Sequence, residues 1–269
     1  MNAVISITNA VFGLLFRPFA HVRPDVAILI ITSVTGVAML YLYVWTSDQA
    51  GLKAVQNVIK ARILEIQLYR TDLHVMLRAL GRVFMKNFTY LKLLLPPALF
   101  LIFIVVVIVV QCYPRFTHRP VKPGEKIVLT AGVRDGVPVT LTVPDGVVVE
   151  AGPVNAPSVG EVSWRLSAKA PGEYDVTLAT GGKTETKKLM AGEGLMGISP
   201  IRAPLTFEGY ITNPTEPPLA KASAFSAIRL DYPKREMNSP LMLGMGWLVY
   251  FLVVSFVVAL VAKFVTKAH

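Results

Sequence analysis

The 269-residue chain is 53% hydrophobic, carries a formal net charge of +10 and holds one cysteine. Its mean hydropathy of +0.54 exceeds the usual globular value, and the lone Cys112 excludes an internal disulfide and a thiolate metal site. The positive charge is not spread like a nucleic-acid surface: Thr46–Lys92 holds eight basic against three acidic residues, whereas Gln111–Pro240 is nearly balanced at 15 against 13.

Met1–Phe16 is uncharged, short for a membrane span and without the basic start of a signal peptide. Asn2, Ser6, Asn9 and Gly13 share one helical face, with Val4, Val11 and Leu15 opposite. That pattern fits a helix lying in a membrane interface over residues 1–25, or equally an uncleaved leader that only anchors. Arg17-Pro18 and Arg23-Pro24 punctuate the entry to the first long apolar run, since proline ends a preceding helix and tolerates a helix start.

Three apolar runs hold no charged residue: Val26–Trp45, Leu93–Val110 and Leu241–Ala262. About 20 helical residues cross a hydrocarbon core of about 30 Å. Spans are therefore expected over 26–46, 93–112 and 241–262, with lipid as the first partner. Positive charge beside a span stays on the cytoplasmic side. The basic stretch 47–92 and the tail 263–269 then lie inside, and 113–240 outside, an N-out/C-in arrangement in a bacterial cytoplasmic (inner) membrane.

Within 47–92, Leu52, Val55, Ile59, Ile63, Ile66 and Tyr69 recur at helical spacing. Thr71-Asp72 reads as a break, and Leu73, Met76, Leu77, Leu80, Phe84, Phe88 and Leu91 continue on a second helix. The pair makes a cytoplasmic helical hairpin, with Lys53, Lys60, Arg62, Arg70, Arg78, Arg82 and Lys86 as its basic contact surface. Pro96-Pro97 is expected to kink or restart the helix entering the second span.

Residues 113–192 change character. Short β-rich runs at Lys126–Ala131, Val137–Val143, Gly146–Glu150, Glu161–Ser167, Glu173–Ala179 and Thr184–Met190 alternate with Asp-Gly, Pro-Gly and Gly-Gly turns. This spacing predicts an all-β, immunoglobulin-like sandwich with Trp164, Leu166, Tyr174 and Val176 inside. The Pro-rich connector 193–240 is expected to pack Leu195–Thr212 against the sandwich or a partner and to add a strand at Ala227–Tyr232.

No Walker loop, GxSxG, HExxH or dinucleotide fingerprint occurs, and Asp135-Gly136, Asp145-Gly146 and Gly192–Gly194 read as turns and loops. His21, His74, His118 and His269 have no ligand spacing. The reading is a non-enzyme without cofactor, metal or small-molecule substrate. Thr32, Ser33, Thr35 and Ser255, with Lys92 at a border, are candidates to line a polar groove; hydroxyls in spans more often bond their own helix.

The order span, basic hairpin, span, loop, span resembles the core of the YidC/Oxa insertase superfamily, in the manner of its three-span archaeal members and the insertase subunit of the ER membrane complex. Thr46-Ser47-Asp48-Gln49, the basic helix Leu52–Arg70 and Leu93–Val110 with Pro96-Pro97 carry the likeness. The resemblance implies a groove that hydrates polar parts of an incoming chain, and a hairpin that meets nascent chains or the ribosome. Two departures stand beside it: a β-domain separates the last two spans, and the first span holds no basic residue. The competing reading is an anchor or assembly subunit whose sandwich binds other membrane or envelope proteins.

Overall fold

The computed structural model describes residues 10–19, 22–68, 73–134, 138–204, 206, 209, 213–237 and 239–266. Arg70, the Thr71-Asp72 break, the Asp135-Gly136 turn, His21 and His269 lie outside the described residues, as do 1–9 of the N-terminal helix. The chain divides into two compact units, Met1–Ile28 with Ile108–Leu248, and Leu29–Val107 with Val249–His269.

The helices are α1 (Ala10–Phe19, closing in a 3-10 turn), α2 (Pro24–Thr46), α3 (Gln49–Leu68), α4 (Leu73–Phe116) and α5 (Trp247–Thr266). Three stretches, Pro24–Thr46, Met76–Phe116 and Trp247–Thr266, are long and apolar enough to cross a membrane. Pro24 and Asp25 open α2, where a proline costs no helical hydrogen bond and an acid meets the positive end of the dipole. The chain leaves α2 at Thr46 and re-enters helix almost at once, because Asp48 caps α3 by accepting the Gly51 N–H at 2.9 Å.

The hairpin's second helix carries no stop signal before the apolar run, and it continues into the span as one 44-residue helix, α4, with no restart at Pro96-Pro97. Each proline removes a single N–H bond, and the long flanking turns keep theirs. The last span starts later than the apolar run. Pro240–Met242 forms a 3-10 turn capped by Ser239, Leu243 takes a left-handed conformation (φ 51°), and α5 begins only at Trp247 and runs to Thr266.

In the first unit, eight antiparallel strands form two sheets among the described residues: β1 (Lys126–Val133), β2 (Thr140–Thr142), β3 (Val147–Ala156), β4 (Glu161–Ala168), β5 (Gly172–Thr180), β6 (Lys183–Ala191), β7 (Ile201–Arg202) and β8 (Phe225–Leu230). The orders are β3-β4-β1-β8-β7 and β2-β5-β6. Side chains alternate between strand faces, so Ile127, Leu129 and Ala131 point one way, as do Trp164 and Leu166. These residues join Val176, Leu178, Leu189, Phe225, Ile228 and Leu230 in one core shared by both sheets. Tyr174, expected inside, is only partly buried and packs on that core from its edge. Strand β3 outruns its expected end by six residues. Gly152 permits this, because a Cβ there would sit 2.9 Å from Trp164 Cδ1.

The connector is fastened to the sandwich. Ile198 and Leu219 are buried in its core, Leu195 is buried as well, and β7 pairs with β8. The final strand is Phe225–Leu230 rather than Ala227–Tyr232; Tyr232 lies beyond it, its hydroxyl accepting the Met190 N–H at 2.8 Å.

Candidate functional site

Three of the four hydroxyl groups expected to line a groove turn back on their own helices. Thr32 and Ser33 both donate to the Leu29 carbonyl, at 2.9 and 2.7 Å, and Ser255 donates to Leu252 O at 3.1 Å. Thr32 and Thr35 are buried and Lys92 is exposed. What meets there is backbone. A Cβ on Gly36 would lie 2.4 Å from the Ser255 carbonyl oxygen and 3.1 Å from Val258 Cβ, so α2 and α5 approach through a glycine.

The basic residues fare differently. Arg62 on α3 and Arg78, Arg82 and Lys86 on α4 line one open groove of about 400 Å³, together with Val58, Gly81 and Met85. On α4 the three cations come at i, i+4 and i+8, which stacks them on one face about 6 Å apart. Glu65 answers part of this charge from α3: its carboxylate accepts from Arg62 at 2.6 Å, which holds its pKa below the ordinary range. Gly81 sits in the groove with open space where a Cβ would be. Lys60 is exposed outside the groove, and Lys53 lines a different cavity.

That second cavity, about 260 Å³, lies where α2, α3, α4 and α5 come together within the second unit. Tyr43, Gln49, Lys53, Gln56, Tyr90 and Lys263 supply its polar lining, and Leu40, Val44 and Leu52 its apolar walls. Gln56 reaches the Tyr90 hydroxyl at 3.4 Å, while Gln49 Nε2 is buried without a partner. Of these, sequence reasoning named only Lys53 as a contact residue, and Gln49 only within the stretch Thr46–Gln49. For Tyr43, Gln49, Tyr90 and Lys263 the available signal was a polar residue within about a turn of the end of an apolar run; Gln56, eleven residues past Trp45, carries no such signal.

The first unit has two further polar constructions. Lys187 occupies an inward position of β6 and is fully buried; its ammonium donates to Glu216 and to Ser199 O, the latter at 2.5 Å. Burial pushes the Lys187 pKa down and Glu216 pulls it back. Glu216 also accepts the Lys188 N–H at 2.9 Å, so it ties the connector to β6. Near the start of β1, Arg119 grips both oxygens of Glu125 at 2.8 Å, which holds that carboxyl at about 2. Where α4 ends, Arg115 stacks 4.3 Å above Phe16 of α1, and Phe116 stacks on Trp247 at 6.2 Å.

Among the described residues no group of three or more His, Cys, Asp or Glu side chains is placed to hold a metal ion. No family model matches the chain, and no curated protein matches it.

Proposed function

We propose that the chain is an integral membrane protein of insertase-like type, embedded N-out/C-in in a bacterial inner membrane and carrying an immunoglobulin-like sandwich outside. The observation that carries this reading is the hairpin groove, where four cations from two helices converge around an open glycine. A merely charged surface disperses its lysines and arginines; here they face one another at the cost of mutual repulsion, relieved in part by Glu65. The groove suits a polyanion such as ribosomal RNA, whose dense phosphate charge rewards each Lys or Arg contact. Thr32, Ser33 and Ser255 bond within their own helices, so polar residues of an incoming chain would meet protein chiefly at the polar cavity between the helix ends.

The test replaces Arg62, Arg78, Arg82 and Lys86 by Gln. Crosslinking to nascent chains or ribosomes should fall, and the wild-type signal should weaken as salt rises. Unchanged capture by this variant would remove the hairpin from the mechanism.

A second reading, an assembly subunit, draws on the sandwich edge. Strand β3 ends the five-stranded sheet and exposes Val148, Val149 and Val154, with Val159 beyond it. Deleting residues 121–191 would then abolish co-purification with fixed envelope partners, whereas an insertase should keep its nascent-chain adducts without the sandwich.

A further inference from the structure

The cavity lined by Tyr43, Gln49, Lys53, Gln56, Tyr90 and Lys263 has no carboxylate in its wall. We propose that it is a headgroup site for an anionic phospholipid. The inference rests on the membrane-spanning reading above and holds for an insertase and an anchor alike.

Depth is the first argument, and three helices give it independently. Tyr43 lies two residues before the end of the run Val26–Trp45, Tyr90 three residues before Leu93, and Lys263 directly after Ala262. At 1.5 Å per residue each sits within about 5 Å of the hydrocarbon edge. The interfacial layer that holds lipid phosphates is about 5–7 Å thick on each side, so the cavity opens at headgroup level. The hairpin groove does not: Lys86, its nearest cation, precedes Leu93 by seven residues, about 10 Å along α4.

Chemistry is the second argument. Lys53 and Lys263 line the cavity and are both exposed, and two ammonium groups there attract one negative charge. The remaining polar lining consists of two amides and two phenols, all able to donate to phosphate oxygens. Asp48, the nearest acid in sequence, spends Oδ1 on the Gly51 N–H. The buried, unpartnered Gln49 Nε2 lacks an acceptor, and a phosphate oxygen would supply one. Buried Leu40 and Leu52 give the same cavity an apolar wall, which suits the first carbons of a lipid better than a free ion.

The experiment uses the full chain. Protein in nanodiscs of equal phosphatidylglycerol and phosphatidylcholine is released into native mass spectrometry, and the retained lipids are counted. Wild type should keep phosphatidylglycerol in preference to phosphatidylcholine. The double variant Lys53→Gln, Lys263→Gln should lose about 30-fold of that preference, a factor of about five for each lysine near the surface. Arg78→Gln with Lys86→Gln removes the same charge away from the cavity and should leave the preference intact. Gln49→Leu, which keeps every charge, should weaken retention without altering the melting temperature of lipid-free protein. Equal retention in the Lys53/Lys263 variant, or equal loss in the Arg78/Lys86 variant, overturns the site. In detergent, short-chain phosphatidylglycerol should raise the melting temperature and inorganic phosphate at the same concentration should not; equal stabilisation by phosphate overturns the lipid assignment. Release of wild type from alkaline-washed membranes would instead overturn the spanning reading, an outcome separate from lost headgroup selectivity.

Discussion

In the sandwich, Leu129, Leu166, Leu178, Leu189 and Leu230 are each covered completely by other residues of the chain. In Met76–Phe116 and Trp247–Thr266 only 11% of the most apolar window is buried, and in Pro24–Thr46 only 33%. Residues of the same kind, Leu, Val, Ile and Phe, thus meet two different surroundings. The strands alternate apolar and polar positions because one face has water and the other has protein. The long helices carry apolar residues all round, Phe103, Val106, Phe256 and Val261 among the exposed ones. A helix apolar on every side needs a solvent that is itself apolar. The two units should therefore respond in opposite ways to changes of packing and of medium.

The largest effect should come from the sandwich core. Trp164 is 4% exposed and pairs across the sheet with Leu129. Trp164→Ala should cost about 3–5 kcal/mol, a large part of a domain's stability. Hydrogen exchange on the full chain would show β1 and β4 losing protection while α4 and α5 keep theirs in lipid. Protection unchanged in β1 would mean that the core does not depend on Trp164.

This division was largely legible in the sequence, since runs without charge and period-two alternation are local signals. Trp164, Leu166 and Val176 could be placed inside because their polar neighbours Ser163 and Arg165 alternate with them. Tyr174 obeys the same alternation and yet sits at the rim, because its hydroxyl donates to Ala170 O at 2.9 Å and holds the ring there. Lys187 was legible only in direction. Period two puts it on the face of Leu189, but nothing near it in sequence says that a lysine will be fully buried there, and its partner Glu216 lies 29 residues away in the connector. The candidate site divides in the same manner. The i, i+4 spacing of Arg78, Arg82 and Lys86 is visible in the chain, while the facing of Arg62 across the hairpin is a tertiary fact.

A smaller effect separates the helices from the sandwich. Gly36→Ala places a Cβ 2.4 Å from the Ser255 backbone oxygen, which cannot swing aside as a side chain tip can. Such overpacking typically costs about 1–3 kcal/mol. The melting temperature in nanodiscs should fall, with sandwich exchange unaffected. A rise would show that α2 and α5 part freely at this point.

Acid should act on the sandwich unit through Glu125. Its folded pKa of about 2 lies below its ordinary 4.5, so the Arg119 contact contributes fully above pH 4.5. That contribution fades as pH falls from 4.5 towards 2, since protonating the carboxyl in the folded state works against the guanidinium. Glu125→Gln should flatten this part of the stability curve and leave it unchanged near pH 7 apart from a constant offset. An identical slope in the variant between pH 4.5 and 2 would assign the acid response to other carboxylates.

The smallest effect should have the opposite sign to that at Gly36. Gly81 lies in the interior of α4, and a Cβ there meets nothing within 4 Å. A glycine in a helix interior costs about 0.5–1 kcal/mol relative to alanine, because its backbone gives up more freedom on folding. Gly81→Ala should therefore stabilise the hairpin by about that amount, read as slower exchange over residues 76–90. Packing does not require the glycine, yet it keeps the floor of the four-cation groove at backbone level. If the groove admits a polyanion, Gly81→Leu should keep the hairpin's stability and reduce capture of ribosomes, since it takes up groove space without removing a charge. Undiminished capture by Gly81→Leu would place the polyanion elsewhere on the hairpin.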